Sequence, residues 1–219
     1  MNTDVLISYF PLYKEAFFLT VKIGFMGIGL SFIIGLLIAL IIYLKIPVLK
    51  AIAVFYVEFF RNTPLLVQLF FLYFGLPKLG IPIDAKTAGV MGLGLLGAAY
   101  MAETIRSALE SVEKTQTESA QSLGLSAGQT FFNITLPISF GRGFSGIIAN
   151  VIFLLKETSV FSAISLMDLM FTAKDLIGLY YKTTECLFLL VVFYLIMLLP
   201  VSIIGSIVEK KVRYAEFGI

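Results

Sequence analysis

The sequence predicts an all-α integral membrane protein, one domain spanning residues 1–219 and built as a five-span helical bundle. Composition is the first reason: 59% of residues are hydrophobic and 14% charged, against about 25% charged and 45–50% apolar in a soluble domain. The second is length. The chain contains charge-free apolar runs that reach the roughly 20 residues a helix needs to cross hydrocarbon, and charged residues bound them.

Residues 23–44 lie between Lys22 and Lys45 without a charge and form span one; residues 186–208 lie between Glu185 and Glu209 and form span five. Three more apolar stretches are interrupted. Span two, about 51–76, contains Glu58 and Arg61; span three, about 87–110, contains Glu103 and Arg106; span four, about 143–166, contains Lys156 and Glu157. In span one Gly27, Ser31, Gly35 and Ala39 recur every fourth residue, and Gly94, Ala98 and Ala102 do so in span three. Such stripes let helix backbones approach closely, so van der Waals contact replaces the hydrophobic drive that lipid removes. Thr63-Pro64 predicts a break in span two, and Pro200 a kink in span five.

A charge at mid-bilayer costs roughly 2.5–3.5 kcal/mol on the insertion scale, so these charges need partners. Glu58 with Arg61, and Glu103 with Arg106, are spaced to meet on one helix face. Lys156 and Glu157 are adjacent and point to different faces, which predicts pairing across helices. Internal pairing near the interfaces is one reading; the lining of a polar passage is the other. On the second reading Glu58, Arg61, Lys156 and Glu157 supply charge, and Asn62, Thr63, Gln68, Thr158 and Ser159 add neutral hydrogen bonds.

Several functions are disfavoured. The chain has no His and one Cys, Cys186, which excludes a His/Cys metal cluster and an internal disulfide. No phosphate-binding G-x-x-x-x-G-K-[ST] occurs and no His is present to serve as a base, so neither an ATPase nor a serine hydrolase is expected. A net charge of +2 does not argue for nucleic acid. Met1 to Phe10 has no basic region and includes Asp4, unlike a secretory leader. Cys186, with no His to activate it, reads as a small buried apolar residue.

Five spans put the termini on opposite sides, and the Lys/Arg bias orients them. With the 1/2 loop, the 3/4 loop and the tail inside, the inner side holds Lys45, Lys50, Arg106, Lys114, Arg142, Lys210, Lys211 and Arg213. The outer side holds Lys14, Lys78, Lys86, Lys174 and Lys182. That favours an outside N-terminus and a cytoplasmic C-terminus.

Within the 3/4 loop, TESAQSLGLSAGQTFFNITLP (Thr117 to Pro137) is polar and punctuated by glycine. Thr115 with Glu118, and Ser126 with Gln129, have capping-box spacing, so each pair predicts a helix start. Gly124 suits the left-handed residue ending the first helix, and Pro137 is placed where the second should stop. The result is a two-helix elbow whose apolar side, Leu123, Leu125, Phe131, Phe132, Ile134 and Leu136, needs a partner to bury it.

Glu118-Ser119-Ala120, then Gly124 and Leu125, then Ile134-Thr135-Leu136-Pro137 resemble the EAA loop of bacterial ABC-importer permeases. Other blocks resemble the polar amino acid, histidine/glutamine permease-like branch of that family: FFRNTPLLVQLFF (Phe59 to Phe71), AAYMAETIRSALESVEKTQ (Ala98 to Gln116), LLKETSVFSAI (Leu154 to Ile164) and the EKKVRY tail. Departures are Ser119 where the pattern has Ala, Thr115 where these permeases usually have Gly, and Asn62 in place of the usual Gly.

The resemblance implies the ABC type I importer permease fold, with a cytoplasmic coupling loop at about 113–140 that docks on an ABC ATPase subunit. It implies a second permease copy or a sibling permease, an extracytoplasmic solute-binding protein, and residence in the bacterial cytoplasmic (inner) membrane. It implies no cofactor in this chain, ATP and Mg being bound by the ATPase. The function implied is ATP-driven import of polar amino acids. The alternative is an ion-coupled secondary transporter, which predicts inverted repeats; none is visible in the sequence.

Overall fold

The computed structural model describes residues 2–217, with side chains through Val212; the side chain of Arg213, counted above in the basic tail, lies outside the described residues. Every regular element among them is helical. Helix α1 (Thr3–Tyr43) begins far ahead of the predicted start at residue 23, capped by the Asn2 side chain, which accepts from the Asp4 N–H. At a rise of 1.5 Å per residue its 41 residues make a rod about 60 Å long. Helix α2 (Leu49–Arg61) stops at the predicted break. The chain then runs on through α3 (Leu65–Phe70), a π-helical turn (Phe71–Gly75) and α4 (Leu76–Lys78), at 101° to α2.

Helix α5 (Ala85–Glu110) is span three. The elbow consists of α6 (Lys114–Ser122) and α7 (Ala127–Thr130), and a second π-helical turn (Phe131–Thr135) joins it to α8 (Leu136–Glu157). A 3₁₀ segment (Thr158–Ile164), α9 (Leu169–Tyr180) and α10 (Thr183–Phe217) complete the chain. Among the described residues four helices are long and apolar enough to cross a membrane, five when the bent pair is counted as one span.

The α1–α5 seam is the most extensive helix contact, and the small-residue stripes make it. A Cβ on Gly35 would lie 2.6 Å from the Met101 Cβ and 2.9 Å from the Ala98 carbonyl oxygen. The Ser31 hydroxyl sits against the carbonyls of Gly27, Leu93 and Gly94 at 2.8, 3.2 and 3.3 Å, and it leaves no room for a side chain on Gly97. Around this seam Ile23, Leu69, Leu93, Leu154 and Phe161 form the main core. A second core joins the N-terminal half of α1 to α9 and α10 through Tyr13, Leu169, Cys186 and Phe193. Cys186 is buried there, and its carbonyl accepts the Tyr13 hydroxyl at 2.7 Å.

Asp168 caps α9 from a fully buried position, accepting from the Phe171 and Met170 N–H groups at 2.9 and 3.3 Å. Burial pushes its carboxyl up to about 7, against the pull of those two donors. Between about pH 4 and the raised value the folded chain therefore holds a proton that the unfolded chain has released, so stability falls as pH rises.

Two outcomes are expected from unfolding in detergent. Gly35→Ala lowers stability by ~1–3 kcal/mol through overpacking, whereas Gly29→Ala, whose Cβ would meet nothing within 4 Å, is neutral or stabilises by ~0.5–1 kcal/mol. Asp168→Asn, which keeps the cap acceptor, flattens the fall of the unfolding midpoint from about pH 4 to about pH 7.

Candidate functional site

The elbow is held together by its own hydrogen bonds. Gly124 adopts φ +89° and closes α6 in a Schellman arrangement: its N–H donates to the Gln121 carbonyl, and the Leu125 N–H to the Ala120 carbonyl. The Ser126–Gln129 capping box forms with both of its bonds. The Thr115–Glu118 box does not. Helix α6 starts at Lys114, so Thr115 lies inside the first turn and its hydroxyl donates to the Glu113 carboxylate. Pro137 does not end a helix either. It is placed at the start of α8, just past the π turn, where the chain runs on without interruption.

Ala120, Leu125 and Ile134 line a groove of about 520 Å³ between α6 and the foot of α8. Glu118, Ser119, Gly124 and Pro137 are exposed around it. Leu123, Phe132 and Leu136 are also exposed, at 83%, 66% and 39%, so much of the predicted apolar side is bare. Phe131 instead packs on Tyr43 at the end of α1, with ring centroids 6.1 Å apart.

The second candidate region surrounds the break in span two. There the Asn62 amide donates to the Glu58 carbonyl and carboxylate, and the Thr63 hydroxyl to the Phe59 carbonyl. The Gln68 amide reaches back to the carbonyls of Phe60 and Thr63 and to the Thr63 hydroxyl. Gln68 is thus a buried brace across the bend.

The expected Glu58–Arg61 pair is not made. Glu58 is engaged by Asn62, and the Arg61 guanidinium lies over the Tyr100 ring at 5.5 Å. Tyr100 meets Phe153 of α8 in a tilted ring contact with centroids 5.0 Å apart, and Glu157 follows four residues along the same helix face. Lys156 is exposed and Glu157 half-buried; neither makes the predicted ion pair among the described residues. Thr158 is fully buried, its hydroxyl donating to the Leu155 carbonyl, while Ser159 is half-buried. Glu103 and Arg106 do pair, and Arg106 also holds Glu110.

Two features escaped the sequence reading. Lys45 and Lys50 join Glu58, Arg61, Arg106 and Glu110 around a charged cavity of about 270 Å³. A groove of about 450 Å³ between α5 and α8 is lined by Thr104, Ser107, Ser111, Arg142 and Ser145. The signal for the groove was present, since Thr104, Ser107 and Ser111 recur at helical spacing on one face.

A family model described as "Binding-protein-dependent transport system inner membrane component" matches residues 25–214. The chain belongs to this family. This permease is 36% identical, over 216 residues, to the "Probable amino-acid ABC transporter permease protein YckA" of Bacillus subtilis (strain 168), with 99% of this chain and 95% of that one covered. It is 35% identical over 220 residues to the "Arginine transport system permease protein ArtQ" of the same organism, covering 97% and 99%. Among solved structures, an "amino acid ABC transporter with histidines" matches with a TM-score of 0.90 at 31% identity, covering 96% of this permease and 99% of that chain. The MetNI methionine ABC transporter in an inward facing conformation matches at 0.80 and 19% identity, covering 97% and 99%, which shows the common fold. The five-span expectation is thereby met by an ABC-importer permease fold, and nothing in these likenesses supports an ion-coupled transporter.

Gln68→Leu removes the brace and leaves the Phe60 and Thr63 carbonyls short of a donor. A loss of ~1–3 kcal/mol in unfolding free energy is expected, read as a lower melting temperature of the purified permease.

Proposed function

We propose that this permease carries polar amino acids across the bacterial cytoplasmic membrane, powered by a separate ABC ATPase subunit that docks on the elbow. The observation that carries the reading is a rigid, internally bonded projection whose apolar residues Leu123 and Phe132 are left bare. Exposed apolar surface on a polar projection is stabilised by a soluble partner that covers it. Glu118, Ser119, Ala120, Gly124, Leu125, Ile134, Leu136 and Pro137 form that docking surface; nucleotide and Mg bind to the ATPase.

One five-span unit supplies half of a passage wall, so a second copy or a sibling permease completes it, and an extracytoplasmic binding protein delivers the solute. The N-terminus lies outside and the C-terminus in the cytoplasm. In support, Lys45 and Lys50 of the 1/2 loop gather with Arg106 and Glu110 at one end of the bundle. Asn2 meets Glu185 at 2.9 Å, joining the two helix starts, α1 and α10.

Within the passage, Arg61 offers charge to a substrate carboxylate, and Glu58 and Glu157 offer it to an ammonium. Lys156, Asn62, Thr63 and Ser159 border them, while Gln68 and Thr158 hold the backbone behind. An amino acid leaving water needs partners of both signs.

The test is hydrolysis by the complete complex in proteoliposomes, with the binding protein and a panel of amino acids. At least one amino acid should stimulate ATPase activity, and Glu118→Arg should cut the stimulated rate severalfold. Unchanged assembly and unchanged stimulated hydrolysis in Glu118→Arg would overturn the elbow assignment.

A further inference from the structure

The joint between the elbow and span four is built unlike the rest of that helix. At the π turn the Leu136 N–H skips one carbonyl and donates to Phe131. The next residue, Pro137, has no N–H to give, so the ladder is widened at one rung and vacant at the next. The same construction recurs at Phe71–Gly75, where the Leu76 N–H donates to the Phe71 carbonyl and Pro77 follows. In both places a Leu-Pro pair follows the five-residue turn. A proline inside an α-helix collides with the carbonyl four residues back, and a wider turn relieves that collision.

Packing is tight on both sides of the joint; at it one face, with Thr135, is buried and the other is open. Above, Gly143 and Gly146 seat α8 on α5 so closely that a Cβ on either would lie 2.7 Å from Ala108 or Thr104. Below, Phe131 is fixed against Tyr43. Between them Phe132, Leu136 and Phe140 are exposed. Thr130, at the entrance of the turn, is 3% exposed, and its hydroxyl oxygen has no hydrogen-bond partner. A buried hydroxyl left unpaired is costly, and a second conformer of the turn that presents it with a carbonyl removes that cost.

We propose that the Phe131–Thr135 turn, held open by Pro137, is a hinge at which the elbow swings relative to span four during the ATP cycle. Pro137 is a positioning residue in this device. The inference rests on the elbow being the ATPase dock, but it is separable from it: docking also holds if elbow and span move as one body.

The experiment places spin labels at the exposed positions Gln121 and Ser145, one on each side of the turn, in the full ATPase-bound complex in nanodiscs. The inter-label distance is compared in the nucleotide-free and ATP-trapped states, with labels at Ser145 and Lys156, both within α8, as the reference pair. A shift of several ångströms across the turn with an unchanged reference distance is expected, and Pro137→Ala should shrink that shift as the turn relaxes towards regular helix. An unchanged Gln121–Ser145 distance in complexes that hydrolyse ATP overturns the hinge and leaves the docking assignment standing. A shift that is identical in Pro137→Ala overturns the role given to the proline. Complexes in which the elbow never meets the ATPase fail at assembly, before any distance is read, and overturn both.

Discussion

Where this chain crosses hydrocarbon, no water is available to its backbone, so each N–H and C=O must find a partner within the protein or cost several kcal/mol. Unbroken helices meet that demand by themselves. The break in span two does not, and two side chains meet it there, Thr63 on the Phe59 carbonyl and Gln68 on those of Phe60 and Thr63, while the Glu58 carbonyl keeps the Asn62 N–H. The same demand explains Thr20, whose hydroxyl donates to the Ala16 carbonyl and accepts the Leu169 N–H, joining α1 to the start of α9. Other polar side chains tie neighbouring helices together through carbonyls of unbroken helices, as Ser31 and Tyr56 do on α5.

Helix α5 is where the pieces are gathered. Its small residues admit α1 on one side, the Tyr56 hydroxyl of α2 bonds to its Leu95 carbonyl at 2.8 Å, and Asn150 of α8 bonds to Thr104 at 2.8 Å and to the Tyr100 carbonyl at 3.3 Å. Tyr100 then faces Arg61 on one side and Phe153 on the other. Tyr100 thus stands between the break in span two and α8. This connects the helix that leads out of the elbow to the region around Glu58 and Arg61.

The spans, the small-residue seam, the break at Thr63-Pro64, the left-handed Gly124 and the Ser126–Gln129 box were all legible, because each follows from local chemistry or from a simple period. What was not legible depended on competition. The Glu58–Arg61 spacing was right for a pair, but an amide one residue further on and an aromatic face from another helix were better placed. Thr115 had the residue type of a cap, yet the helix starts one residue earlier and draws it inside. Pro137 looked like a stop because a proline ends or kinks a helix; here a π turn ahead of it lets the chain run on as helix. The early start of α1 was hidden because Lys14, Glu15 and Lys22 interrupt the apolar run without interrupting the helix.

That early start has a physical consequence. A hydrocarbon core is about 30 Å thick, roughly half the length of α1, so the helix does not end where the bilayer does. Its N-terminal portion is gripped by α9 and α10 through Tyr13, Leu189 and Phe193. Most helices answer a thicker or thinner membrane by tilting or by drawing the lipid towards them. Here the rim of the bilayer can rise or fall along a helix that is already formed and already packed, so the geometry inside is buffered against changes in lipid chain length.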